Sequence, residues 1–159
     1  MKILIVSDTH RHDENLLAVI KKEKPFDFLI HLGDIEGSEY VIKDWVECPV
    51  EIVAGNNDFF SGLEKEKIIH IGKYSILMTH GHYYYVNMGT KFIVDEARGR
   101  GVDIVMFGHT HKPLVDRECD VIALNPGSLS YPRQEGRRPS YIVMTIDDFG
   151  QLDFLIQYL

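Results

Sequence analysis

Lys2-Ile-Leu-Ile-Val-Ser-Asp-Thr-His10 decides how the rest of the chain is read. Ile3 to Val6 is an unbroken apolar run, three of its four residues β-branched, with no room for a helical turn before the polar break at Ser7. Such a run reads as a strand buried on both faces. Its C-terminal end then delivers Asp8 and His10. Residues two apart in extended chain point to the same side, so a carboxylate oxygen and an imidazole nitrogen are presented together, which is half of a metal site. Taken singly, Asp-x-His is as readily an N-cap beside a surface histidine.

Repetition gives the pair its weight. Phe28 to Leu32 is followed by Gly33-Asp34, and Val50 to Val53 by Gly55-Asn56-Asn57-Asp58. Ile76 to Met78 leads to His80-Gly81-His82, and Ile104 to Phe107 to Gly108-His109-Thr110-His111. The first metal-competent side chains stand at 8, 34, 56, 80 and 109, steps of 26, 22, 24 and 29 residues, close to the ~30 residues of one strand-helix-strand unit. Strand ends along one edge of such a sheet converge, and neighbouring glycines let the backbone turn sharply and approach a bound group.

These blocks, D-x-H, G-D, G-N-x-D, a lone H and G-H-x-H in that order, resemble the calcineurin-like metallophosphoesterase superfamily. The short chain and the stretch Asn125-Pro-Gly-Ser-Leu-Ser-Tyr-Pro-Arg133 are similar to its small bacterial and archaeal phosphodiesterase branch. The resemblance implies an α/β fold, a sandwich of two mixed β-sheets flanked by helices. It further implies that Asp34 bridges two divalent metal ions, with Asp8, His10 and His111 completing one and Asn56, His80 and His109 the other. Asp34, Asn56 and His80 would then be catalytic, with His82 beside them, while Asn57 and Arg133 would meet the substrate.

Phosphodiester hydrolysis needs this chemistry because water is a poor nucleophile at neutral pH. Two neighbouring cations supply a shared hydroxide and clamp the phosphoryl oxygens. Mixed oxygen and imidazole donors without thiolate suit Mn, Fe, Zn, Ni or Co. Manganese is the first expectation, since it tolerates hard ligands and open positions.

Composition sets the outer limits. At 159 residues, 45% hydrophobic and 11% aromatic, the chain is expected to be one globular domain. No basic segment leads into a long apolar stretch and no apolar run approaches ~18 residues, so neither a signal peptide nor a membrane span is expected, and the expected location is the cytoplasm. Cys48 and Cys119 fit no CxxC spacing and are expected to be reduced packing thiols. A net charge of −7 argues against a nucleic-acid coat or a membrane-surface partner. It does not forbid a phosphate site, because two divalent ions held by two carboxylates and a hydroxide leave a local charge of about +1. Screening erases the distant acidic residues beyond roughly 8 Å. The expected partner is a small phosphodiester or nucleotide-like substrate, with a homo-oligomer as a further possibility.

Helices are predicted over 14–24, 38–47 and 87–100, from apolar spacing and from Pro25, Pro49, Gly99 and Gly101 at their ends. Trp45 reads as core. Residues 63–67 read as a charged loop before a hairpin over 68–78, and strands are predicted over 114–117, 121–124, 141–146 and 152–156. The pair flanking Asp147-Asp148-Phe149-Gly150 reads as antiparallel. His31 and His70 lie inside apolar strands and read as core or edge residues, His12 as a solvent-facing helix entry. Asp58, two residues after Asn56, reads as a turn residue or an orienting group. Tyr83-Tyr84-Tyr85 reads as a cleft wall or an oligomer contact, and Arg137 and Arg138 as a solvated loop.

The functional expectation is a metal-dependent phosphodiesterase, with a phosphomonoesterase and an idle metal-binding scaffold, as in the related retromer subunit, as alternatives. An idle site has no reason to retain all seven ligands. One departure stands out: many diesterases of the superfamily carry histidine after the metal-binding asparagine, where it can protonate the leaving oxygen, and here the position is Asn57. An amide is no acid near neutral pH, and a positioned acid is worth ~10²–10⁴-fold in rate. The nearest substitute is His82. A nitrophenyl phosphodiester is therefore expected to be turned over far faster than an alkyl one, read by comparing the two rates at one metal concentration.

Overall fold

The computed structural model describes residues 1–117 and 120–159, so the expectation for Cys119 lies outside the described residues. In chain order the strands are β1 (Lys2–Val6), β2 (Phe28–His31), β3 (Val50–Ile52), β4 (Glu66–Ile71), β5 (Tyr74–Thr79), β6 (Ile104–Met106), β7 (Pro113–Asp116), β8 (Ile122–Pro126), β9 (Ser140–Ile146) and β10 (Leu152–Tyr158). The helices are α1 (Glu14–Glu23), α2 (Glu39–Asp44) and α3 (Lys91–Gly99). One sheet has the order β10-β9-β1-β2-β3 and the other β4-β5-β6-β8-β7. Both are mixed: β1, β2 and β3 run parallel, as do β5, β6 and β8, with antiparallel strands on one flank of the first sheet (β9 and β10) and on both flanks of the second (β4 and β7).

The two sheets stack through alternate side chains. Ile3 and Ile5 of β1 face the other sheet and meet Ile76, Met78, Ile104 and Met106, together with Ile142 and Met144 of β9. The intervening Leu4 and Val6 face outward and are covered by Leu16, Val19 and Ile20 of α1 and Ile42 of α2. On the second sheet Leu77 and Val105 turn outward onto Ile93, Val94 and Ala97 of α3. The result is a four-layer α/β sandwich in which β1 is buried on both faces, as its unbroken apolar run predicts.

Element ends differ from the sequence reading for local reasons. α2 stops at Asp44, where the Trp45 amide turns back to the Ile42 carbonyl at 3.1 Å and tightens the last turn. Trp45 itself packs half-buried against the outer layer, beside the free thiol of Cys48. α3 starts at Lys91 rather than at 87, because Gly89 has φ +129 and residues 82–88 form two 3₁₀ turns joined by a left-handed Tyr85. β4 begins at Glu66, inside the stretch read as loop; as an edge strand it carries charge outward, and Lys67 reaches Glu51 at 2.9 Å. His70 is exposed on that same edge.

Ile76 sits fully buried between the sheets, whereas Phe149 is 87% exposed in the β9–β10 turn. Ile76→Ala is expected to cost about 2–5 kcal/mol of unfolding free energy, and Phe149→Ala no more than about 0.5 kcal/mol. Urea denaturation of both variants reads the contrast.

Candidate metal centre

Parallel strands put their C-terminal ends on one edge. Asp8 and His10 follow β1, Asp34 follows β2 and Asn56 follows β3, while His80 and His109 follow β5 and β6 of the second sheet. The loops lie closer than side chains would allow: a Cβ on Gly55 would stand 2.1 Å from Asp34 Oδ1, and one on Gly108 2.7 Å from Asp8 Oδ2. Glycine is required at both positions.

The donor atoms converge in two overlapping groups, Asp8/His10/His111 and Asp8/Asp34/His80, each with its ligand atoms within 4.8 Å of one another. Asp8 Oδ1 stands 3.0 Å from His111 Nε2, 3.8 Å from His10 Nε2 and 3.9 Å from His80 Nε2. Asp34 Oδ2 stands 3.5 Å from His80 Nε2 and 3.8 Å from His10 Nε2. Asn56 and His109 line the same cleft as Asp34, His10 and His111, so the structure gathers all seven expected ligands at one place.

The outward nitrogen of each of three rings is fixed, and that fixes the inward one. Nδ1 of His80 donates to the Leu32 carbonyl, Nδ1 of His111 to the Tyr131 carbonyl and Nδ1 of His10 to Glu36 Oε1, each at 2.7 Å. Those acceptors can take only a hydrogen, which turns Nε2 of each ring toward the centre as the atom that can bind a cation. His10 Nε2 and His111 Nε2 then face each other at 3.4 Å. Asp8 Oδ1, Asn56 Oδ1 and His80 Nε2 are buried with no hydrogen-bond partner among the described residues. Buried carboxylate, amide and imidazole ligand atoms converging on one point are what a cation satisfies. The donor set of carboxylate, amide and imidazole fits a divalent first-row metal.

Charge follows the same logic. Burial works against the Asp8 carboxylate, but His80, His111 and the Ser7 hydroxyl outweigh it and hold its pKa below the usual range. Asp34 is likewise pushed well down, burial being overcome by His80 and the Asn57 amide. Burial would lower His80, yet Asp8 and Asp34 raise it to about 9. Burial pushes His31 down to about 4, and this ring is a satisfied core residue: it takes the Gly33 amide on Nδ1 and meets Thr9 Oγ1 at 3.1 Å.

A sequence model of the calcineurin-like phosphoesterase superfamily domain matches residues 1–149. The chain belongs to that superfamily. A probable metallophosphoesterase of Bacillus subtilis is 32% identical over 149 residues, 93% of this chain and 86% of the relative. A phosphodiesterase of Methanocaldococcus jannaschii is 32% identical over 146 residues, 80% of this chain and 83% of the relative. Among solved structures, a predicted phosphoesterase of Streptococcus pneumoniae superposes with a TM-score of 0.80 at 29% identity, covering 97% of this chain and 88% of that one. Vps29 of Entamoeba histolytica complexed with zinc shares the fold, with a TM-score of 0.78 at 23% identity over 99% of both chains.

Within this superfamily site, the residues expected at the substrate divide. Arg133 lines the cleft over the ligands, and its side chain makes no ion pair among the described residues. Asn57 lines it too, but its side-chain amide is engaged: its Nδ2 donates to Asp34 Oδ2 and its main-chain amide to Asp34 Oδ1, both at 2.8 Å. It therefore orients the bridging candidate rather than pointing a free group at a leaving oxygen. His82 stacks near His80 and His109, with ring centroids 5.6 and 6.0 Å away, and lines the next cleft. Burial and those two neighbours push it down to about 4, so at neutral pH it is an uncharged ring. His12 is exposed and bonds the Tyr131 hydroxyl at 2.7 Å.

Asp58 orients through the backbone. Its buried carboxylate accepts the amides of Ile35 (3.1 Å), Glu36 (2.7 Å) and Gly55 (2.8 Å), pinning the Asp34 and Asn56 loops together. Residues 125–133 staple the remaining loops. Asn125 Nδ2 donates to the Gly108 carbonyl at 2.7 Å, Ser128 Oγ to the Asp8 carbonyl at 2.8 Å, and the Arg133 amide to the His111 carbonyl at 2.9 Å. The individual roles of Glu36, Ser7, Asn125 and Ser128 are not among the expectations read from the sequence, although Asn125 and Ser128 stand in the stretch that carries the resemblance. The signal for the last two is polarity at the end of an apolar strand.

Because Asp8 and Asp34 hold His80 protonated up to about 9, a cation must displace that proton. Metal affinity is expected to tighten as pH rises from 6 towards 9, with about one proton released per chain, from His80, when its site fills at pH 7. Calorimetric titration in buffers of different ionisation enthalpy measures the release.

Proposed function

We propose that this superfamily member is a phosphodiesterase that works with two divalent cations, manganese first among them. The observation that carries the reading is the set of buried ligand atoms without a hydrogen-bond partner among the described residues, Asp8 Oδ1, Asn56 Oδ1 and His80 Nε2, beside a cleft lined by Arg133, which makes no ion pair among those residues. Asp8, His10 and His111 would hold one cation and Asn56, His80 and His109 the other, with Asp34 between them. When bound, the cations supply an activated water and offset the charge that builds on the phosphoryl oxygens.

The chain's own residues do the rest. Asn57 fixes both oxygens of Asp34, so the shared carboxylate keeps one orientation. Glu36, Leu32 and Tyr131 keep three imidazoles in the tautomer that binds a cation. Arg133 brings a guanidinium to the cleft, where the substrate is a singly charged diester and a planar donor fork matches two phosphoryl oxygens. Water adds to phosphorus, one ester P–O bond breaks, and the alcohol leaves with a proton from that water. His82 does not stand ready to give the proton, since burial and its histidine neighbours push it down to about 4. This agrees with preference for esters whose alcohols leave unaided. The phosphodiesterase among the relatives supports the same substrate class.

Chelator-treated protein is expected to lose hydrolysis of bis(p-nitrophenyl) phosphate and to regain it with Mn²⁺. Asp34→Asn should abolish turnover, and Arg133→Ala should lower kcat/KM by about tenfold or more with metal content unchanged. Faster hydrolysis of p-nitrophenyl phosphate than of the diester would favour a monoesterase. Full metal occupancy without turnover of either would favour a scaffold.

A further inference from the structure

A second cleft adjoins the metal cleft, and Asn56 is a wall of both. It is bordered by Phe59, Leu63, Lys65, His82 and Tyr83. Phe59 and Tyr83 are large rings left 82% and 54% exposed. Tyr83 is not a loose surface ring: it packs on His82 with centroids 4.0 Å apart, its hydroxyl bonds Lys65 Nζ at 3.0 Å, and the same ammonium lies 5.1 Å from its ring centre. An aromatic ring held by two neighbours, His82 and Lys65, presents a prearranged stacking surface. The cleft also offers polar groups at its edge: the exposed ammonium of Lys65, which makes no ion pair among the described residues, and the Tyr83 hydroxyl bonded to it.

A ligand for such a cleft carries a flat π-face and, in its plane, hydrogen-bonding nitrogens and carbonyls. A nucleobase has both, whereas an alkyl or lipid group has neither. A phosphodiester seated on the ligand cluster extends two ester arms, and the arm passing Asn56 enters this cleft. We propose that the second cleft receives the base of a nucleoside esterified to the phosphate, which makes nucleoside phosphodiesters the substrate class. The proposal rests on the phosphodiesterase reading for its catalytic meaning, while the cleft is tested by binding alone.

The experiment compares thymidine 5′-monophosphate with methyl phosphate by calorimetry on Mn²⁺-saturated protein, in wild type, Phe59→Ala, Tyr83→Ala and Tyr83→Phe. Wild type should bind the nucleotide at least about tenfold more tightly. Each alanine variant should lose most of that advantage with methyl phosphate affinity unchanged, and Tyr83→Phe should keep it, because stacking needs the ring and not the hydroxyl. Equal affinity for the two ligands in wild type, or a nucleotide advantage that survives both alanine substitutions, overturns the proposal. Turnover of methyl p-nitrophenyl phosphate is scored separately. If it is absent while the nucleotide advantage depends on Tyr83, the cleft stands and the phosphodiesterase reading falls.

Discussion

The register of β1 fixes everything at the site. Ile3 and Ile5 belong to the layer between the sheets, Leu4 and Val6 to the layer under α1 and α2, so the strand has no neutral position to slip into. A shift by one residue would exchange the two sets and misfit both layers. Asp8 is therefore delivered to a fixed point at the sheet edge. The parallel neighbours β2 and β3 bring Asp34 and Asn56 to the same edge by the same means, and β5 and β6 bring the histidines from the opposing sheet.

Strain is the counterpart of that convergence. Asp8, His10, Asp34, His109 and His111 all have left-handed backbone, with φ between +45 and +68. Each such residue costs about 1–3 kcal/mol and persists only when its surroundings over-determine it. Here the surroundings are named groups. The Asp8 amide donates to the Gly33 carbonyl at 3.0 Å and the His10 amide to the Asp34 carbonyl at 2.9 Å. Asp58 gathers three amides from two loops, and Ser128 reaches back to the carbonyl of Asp8. The concentration of strain at ligand positions marks a site whose geometry is set before anything binds.

What the sequence made legible is what depends on short-range pattern. Unbroken apolar runs revealed strands buried on both faces, and the recurrence of ligand types after them revealed the edge where they meet. The roles of Glu36, Asn125 and Ser128 were not legible, because each is defined by a partner in another loop, and a polar residue at a strand end has many possible partners. Asn57 shows the same limit. Its place beside Asn56 suggested a substrate contact, but its hydrogen bonds run to Asp34, 23 residues earlier. The early start expected for α3 failed because the apolar spacing continues through residues 86–88, while the backbone at Gly89 does not.

The ligands are shared between the sheets: Asp8, His10, Asp34 and Asn56 hang from one, and His80, His109 and His111 from the other. Elsewhere the two layers meet largely through apolar side chains, which resist separation better than sliding, with polar ties such as Lys67 to Glu51 at 2.9 Å and the Tyr74 hydroxyl to the Gly150 carbonyl at 2.7 Å. Ions in the cleft would act as rivets through that seam at one margin. Loading would then stiffen the whole laminate against shear, from the margin that holds the ligands.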